Sequence, residues 1–240
     1  MFYIGLNGSQ FNVQEAQMKR TPLKNRLLPD YTRGEEIANM ITHIIGAAVG
    51  IAVLVISVII AARNNNNWAV VGASIYGASM ICLYAVSSVY HGLKPCFGKK
   101  VMQVIDHCTI YFLIAGTYTP ILLSAIRPAH PYICWIVFGT QWTLAAFGAV
   151  FTAIDHKKYA KLSMICYIGM GWLIIFALKA TIESIGTAGF LYLLGGGVSY
   201  TIGAILYGIG KKRKYYHTVF HVFVDIGSIL QAMSIIKYVL

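Results

Sequence analysis

The run from Ile41 to Ala62 holds one histidine and no residue charged at pH 7. Coiled as a helix rising 1.5 Å per residue, it is long enough to cross the ~30 Å hydrocarbon layer of a bilayer. It does not stand alone. Apolar stretches between charged or turn-forming separators give seven candidates, roughly 37–62, 69–93, 102–126, 131–153, 162–180, 187–209 and 216–239. The separators are legible: "RNNNN", "KPCFGKK", "RPAHP" and "DHKKYAK" follow the first four runs, Lys179 and Glu183 close the fifth, and the sixth runs into "KKRK". Hydrophobic residues make up 58% of the 240 and charged ones 11%, where a soluble domain is nearer one half and one quarter. The expectation is an all-α polytopic protein of the cell (plasma or inner) membrane. It has a cytoplasmic tail over residues 1–33 and a bundle of seven transmembrane helices over 34–240.

Lysine and arginine set the orientation. The tail supplies five, the second connection Lys94, Lys99 and Lys100, the fourth Lys157, Lys158 and Lys161, and the sixth Lys211, Lys212, Arg213 and Lys214. The opposite side carries Arg63, Arg127, Lys179 and Lys237. Fifteen against four puts the N-terminus in the cytoplasm and the C-terminus outside. This placement accounts for most of the net charge of +11: the cations hold topology and meet anionic lipid head groups, and argue against a nucleic-acid partner.

The first 33 residues are mixed and polar, without the apolar core of a cleavable signal. "MKRTPLKNRLL" from Met18 reads like a start of its own, and the expectation is that residues 1–17 are dispensable or a start-site extension. Cys82, Cys96, Cys108, Cys134 and Cys166 are odd in number with no CxxC pair, and read as free thiols, mostly buried, rather than a disulfide framework. "GAAVG" from Gly46 to Gly50 is a small-xxx-small surface for close helix contact. Gly195, Gly196 and Gly197 mark either a break or close packing.

Ionisable side chains in membrane helices are costly and point to function. Glu36, Asn39 and His43 open the first helix, Ser87 and His91 end the second, Asp106 and His107 open the third, and His217 and His221 open the seventh. Because successive helices alternate in direction, all four groups reach the same, cytoplasmic, membrane level. One site is implied. His217 and His221, at i and i+4, present two imidazoles from one helical face and can grip one ion. A catalytic zinc takes three protein ligands and keeps an open position, and His91 is the natural third. Asp106 is either a fourth ligand or the group that holds and deprotonates water at the metal; it can also simply cap the third helix. Ser87, one turn from His91, can hydrogen-bond that water or a substrate carbonyl. Glu36, Asn39 and His43 share a helical face and look like the shell that orients the ligands. His107 is expected at the interface, His130 and His156 in solvated loops, and Tyr90, Tyr215 and Tyr216 in an aromatic belt.

At these residues the chain resembles the hemolysin III branch of the progestin and adipoQ receptor (PAQR) family. "EEIANMITHIIG", "SSVYHG" with the following Asp106, and "HTVFH" match its three motifs, E-x2-N-x3-H, S-x3-H followed by Asp, and H-x3-H, and "LIAGTYTP" looks like its third helix. The likeness covers about residues 33–240. It implies a seven-helix bundle with the N-terminus inside, zinc on His91, His217 and His221, and Asp106 near the metal's water. Relatives that include adiponectin receptors and alkaline ceramidases imply hydrolysis of lipid amides. Bacterial members are called hemolysins and are also linked to membrane energetics and lipid homeostasis. One departure is Asp225 in "VFVDIGS", where relatives carry an apolar residue; it continues the His217–His221 stripe ~12 Å below the first histidine, as a deeper polar partner or a perturbation of the site.

Two functional readings follow. The first is a zinc-dependent hydrolase acting on an amide or ester bond of a membrane lipid. The second is a non-enzymatic receptor or regulator with zinc as a structural staple. A pore-forming toxin is a poorer third, since nothing resembles a soluble-to-membrane switch.

Overall fold

The structure is a computed structural model and describes residues 20–210 and 213–240. The described residues contain no strand. Seven α-helices follow in order: α1 Arg33–Arg63, α2 Asn67–Gly92, α3 Phe97–Pro120, α4 Pro131–Asp155, α5 Ala160–Gly171, α6 Leu178–Ile209 and α7 Tyr216–Ser234. The starts obey local chemistry. Thr32 caps α1 in a capping box with Glu35. The Asn66 side chain accepts the Ala69 N–H at 3.1 Å to cap α2. Asn65, at φ 51°, supplies the left-handed residue that turns α1 into α2, which is what the run of asparagines is for.

Six helical stretches are long and apolar enough to cross a membrane: Arg33–Arg63, Asn67–Gly92, Phe97–Ile126, Pro131–Asp155, Ala160–Ile209 and Tyr216–Val239. The fifth is 50 residues long, about 75 Å if straight and about 2.5 times what a bilayer needs. It is not uniform. A 3-10 turn, Leu173–Ala177, separates α5 from α6, and Gly186 interrupts α6 at φ 69°, ψ 167°, a conformation that only glycine adopts readily. The expected fifth run ended near Lys179; the helix instead continues to Gly186. Lys179 and Glu183 lie i,i+4 on its outer face, 3.9 Å apart, with Glu183 reaching His130 at 3.0 Å. The charges decorate the helix rather than end it. Gly195–Gly197 is no break either: the helix continues, and Gly196 packs against Gln231 and the Gly227 carbonyl of α7.

The helices pack in sequence, α1 on α2, α2 on α3, α3 on α4, α6 on α7, and α7 closes back on α1. α3 is the most enclosed; every residue from Ala115 to Pro120 is buried. Beyond Pro120 a π-helical turn, Ile121–Ile126, takes over, with the Arg127 N–H donating to the Leu122 carbonyl at 2.8 Å. Large apolar side chains such as Ile45, Ile51, Phe147 and Ile205 are exposed around the outside, the surface a lipid-embedded bundle presents. The five cysteines are free; Cys134 is buried, while Cys82 and Cys96 are exposed, so burial holds for fewer of them than expected.

At one end the start of α1, the end of α2, and the starts of α3 and α7 meet. The Tyr215 N–H donates to Glu35 at 2.8 Å, tying α7 to α1. The segment preceding α1 folds over this end. Arg26 is buried and donates to the Ile154 carbonyl at 2.7 Å and to His156 Nδ1 at 3.2 Å, while the Thr21 N–H donates to Asp155 at 3.1 Å. His156 is therefore a buried anchor rather than a solvated loop residue, because an arginine and not water fills its hydrogen bond. Residues 1–17, Met18, Lys19, Lys211 and Lys212 lie outside the described residues.

Candidate metal centre

α7 begins with His217 and His221 one turn apart, and their Nε2 atoms come within 3.0 Å. The last turn of α2 brings in His91. One nitrogen from each of the three lies within 4.8 Å of the other two. His91 and His221 are each 2% exposed. His91 donates from Nδ1 to Glu36 Oε2 at 2.7 Å, and its Nε2, buried and aimed at the other two rings, has no hydrogen-bond partner among the described residues. A buried acceptor left unpaired costs about 1–3 kcal/mol. A hydrogen bond between two neutral imidazoles would explain the 3.0 Å separation but would leave His91 Nε2 bare. A cation satisfies all three nitrogens. Zinc–imidazole bonds of about 2.0–2.1 Å place two ligand nitrogens of one ion roughly 3–3.5 Å apart. The residues fit a metal ion.

Around the triad the first helix supplies the supports. Glu36 divides its carboxylate between His91 and Lys99, whose Nζ lies 2.6 Å from Oε1. The Asn39 carbonyl accepts from His221 Nδ1 at 3.3 Å, and its side-chain oxygen accepts from the Thr218 hydroxyl at 2.6 Å. His43 makes no such bond. It stacks on His221 with ring centroids 3.6 Å apart and planes at 10°, and both its ring nitrogens are unpartnered among the described residues. Asp106 stands outside the group of mutually close ligand atoms. Its carboxylate meets the Ser87 hydroxyl and feels His91, and lies 3.6 Å from His107 Nδ1. His107 is turned to the Gln103 carbonyl at 2.7 Å and takes no part in the triad. Asp225 sits deeper, by Gly46 and Tyr84, with Oδ1 buried and unpartnered among the described residues.

Four residues of the site carry no motif in the sequence. Tyr31 stacks over His217, centroids 5.1 Å apart at 23°, and lies 5.9 Å from the His91 ring. Burial, and then neighbouring Tyr207 and Glu36, hold its phenol above the usual tyrosine range, so it stays protonated. Thr42 reaches His221 Nδ1 at 3.3 Å and Thr218 fixes Asn39. Lys99 reads in the sequence as one more topological cation, yet it is 2% exposed. Tyr90, expected in an interfacial belt, is buried with its ring 4.5 Å from that of His91; packing by α3 removes it from the interface.

Residues 31–232 match the family model described as "Haemolysin-III related". The chain is 41% identical over 206 residues to Hemolysin-3 of Bacillus cereus, covering 86% of this chain and 92% of that protein. It is 39% identical over 208 residues to the Hemolysin-3 homolog of Bacillus subtilis (strain 168), covering 87% and 96%. Over 231 residues it is 29% identical to the human Monocyte to macrophage differentiation factor, covering 91% and 90%.

Proposed function

The chain belongs to the haemolysin-III related family of multi-pass membrane proteins, and from that premise we propose that it is a zinc-dependent hydrolase of lipid amides or esters working at the cytoplasmic leaflet. The observation that carries this reading is the separation of roles around the triad. Three histidines converge on one point, while Asp106, with Ser87 beside it, stands next to them without joining the ligand group. His91, His217 and His221 hold the ion. When bound, zinc on three imidazoles supplies a Lewis acid that makes water acidic near neutral pH and polarises a carbonyl. Asp106 would hold the attacking water by its carboxylate, receive its proton and return it to the leaving nitrogen or oxygen as the carbonyl–heteroatom bond breaks. Ser87 gives its single hydroxyl proton either to Asp106, which it then orients, or to the carbonyl oxygen of the scissile bond. Glu36 and Asn39 fix the imidazoles of His91 and His221, and Tyr31 over His217 limits water at the mouth.

The bundle crosses the membrane seven times, with Gly186 dividing the long stretch Ala160–Ile209 into two crossings. Its N-terminus is cytoplasmic, as the bias of lysine and arginine requires. The second reading keeps zinc as a staple without turnover. It is favoured by the position of the triad, which joins α2 to α7 at the bundle's end. Purified protein incubated with ceramide separates the two. Release of fatty acid by wild type, lost in Asp106→Ala at unchanged zinc content, is the hydrolase outcome. Full zinc content with no release from ceramide or an ester lipid is the staple outcome.

A further inference from the structure

We propose that Lys99 is a positioning residue of the metal centre: acting through Glu36, it fixes the His91 imidazole and so sets how tightly the centre holds its cation. The inference rests on the metal reading above. Lys99 is the third residue of α3, in the first helical turn, where a cation opposes the helix dipole. It is also buried, where an ammonium is costly without partners. Two local rules are broken at one position, and a broken rule of this kind marks a functional constraint. Adjacent Lys100 does the ordinary thing and reaches outward to the Lys24 carbonyl at 2.6 Å.

The partners of Lys99 give the reason. Its Nζ donates to Glu36 Oε1 at 2.6 Å and to the Leu93 carbonyl at 2.8 Å, with the Tyr90 ring centroid 5.2 Å away. The other oxygen of the same carboxylate accepts from His91 Nδ1 at 2.7 Å. Lys99 of α3, Glu36 of α1 and His91 of α2 thus form one line that ends on the unpartnered Nε2 in the triad. A glutamate held only by His91 is free to rotate about its own side chain. Held on both oxygens it is not, and the ring it carries points one way. Removing such an outer partner of a metal-ligating histidine typically costs about 10–100-fold in metal affinity.

The test is zinc affinity by chelator competition on full-length protein in detergent, with the d–d absorption of the cobalt-loaded protein as a report on ligand geometry. Lys99→Met is expected to weaken zinc binding about tenfold or more and to alter the cobalt bands, while Lys100→Met leaves both unchanged. In a Glu36→Gln background, already weakened, Lys99→Met is expected to add less than about threefold, because the lysine works through that carboxylate. If Lys99→Met does not fold, Lys99→Gln, which keeps a donor for Leu93 but not the charge, is expected to lose the same factor. A variant that melts earlier but binds zinc as tightly as wild type, with unchanged cobalt bands, makes Lys99 a structural clip and overturns the proposal. So does an undiminished effect in the Glu36→Gln background. Wild type that binds no metal at all is a different failure, that of the metal reading itself.

Discussion

His91 has one nitrogen that no described residue pairs. Glu36 takes Nδ1, and Nε2 is left buried against two other imidazoles. Asp106 is set apart from that group, so its substitution separates binding from chemistry. Asp106→Ala is expected to keep its zinc and to lose hydrolysis by about 10²–10⁴-fold, the usual contribution of a positioned acid or base; equal zinc and equal turnover would remove Asp106 from the mechanism. The clustering of the three histidines was legible in the sequence because spacing and alternating helix direction bring them to one level without any knowledge of packing. Lys99 and Tyr31 were not. A lysine in a basic loop looks like any other topological charge, and only the turn of α3 shows that it points inward. Tyr31 belongs to a tail whose fold depends on Arg26 finding the end of α4. Asp225 was visible, and the structure adds that its Oδ1 is buried beside Gly46 and Tyr84 without a partner among the described residues.

Between helices, close approach and end anchoring each make a prediction. A Cβ on Gly72 would lie 2.6 Å from the Pro120 Cα, a backbone atom that cannot step aside. Gly72→Ala is expected to destabilise the bundle by about 1–3 kcal/mol and lower its melting temperature. Gly197→Ala, which meets nothing within 4 Å, is expected to be neutral or stabilising by up to about 1 kcal/mol. Equal melting temperatures would contradict this account of the α2–α3 contact. The anchor at His156 predicts a pH dependence. Burial, then His107, Arg26 and Lys157, push its imidazole down to about 4, with Asp155 opposing, and its Nδ1 must stay bare to accept from Arg26. A histidine freed from that anchor titrates near about 6.5, so the released state binds a proton that the docked state excludes. Docking of residues 21–28 is therefore full above pH ~6.5 and weakens as pH falls toward ~4. A spin label at exposed Leu27→Cys is expected to gain mobility over that window, and His156→Asn to flatten the response. Constant mobility in wild type would contradict it. The break at Gly186 lies in the gap expected between the fifth run and the sixth, which starts at 187; what the charges of Lys179 and Glu183 hid is that the helix passes both before a glycine at positive φ interrupts it.

Across the whole molecule, charge and apolar length agree. Five of the six helical stretches follow single apolar runs closely, as hydrocarbon thickness demands, while Ala160–Ile209 joins two of them. Six stretches are long and apolar enough to cross; the proposed seventh crossing rests on the break at Gly186, and the proposed direction on the fifteen cations expected on one side. A C-terminal alkaline phosphatase fusion is expected to be active and a C-terminal green fluorescent protein dark; the reverse would invert the topology and put the triad on the outer face. The claim on which site, mechanism and Lys99 all depend is that His91, His217 and His221 hold an ion. Elemental analysis of detergent-purified wild type beside His217→Ala tests it most directly. The account predicts about one zinc per chain in wild type and almost none in the variant. Wild-type protein without stoichiometric metal, or a variant that retains it, would contradict the account.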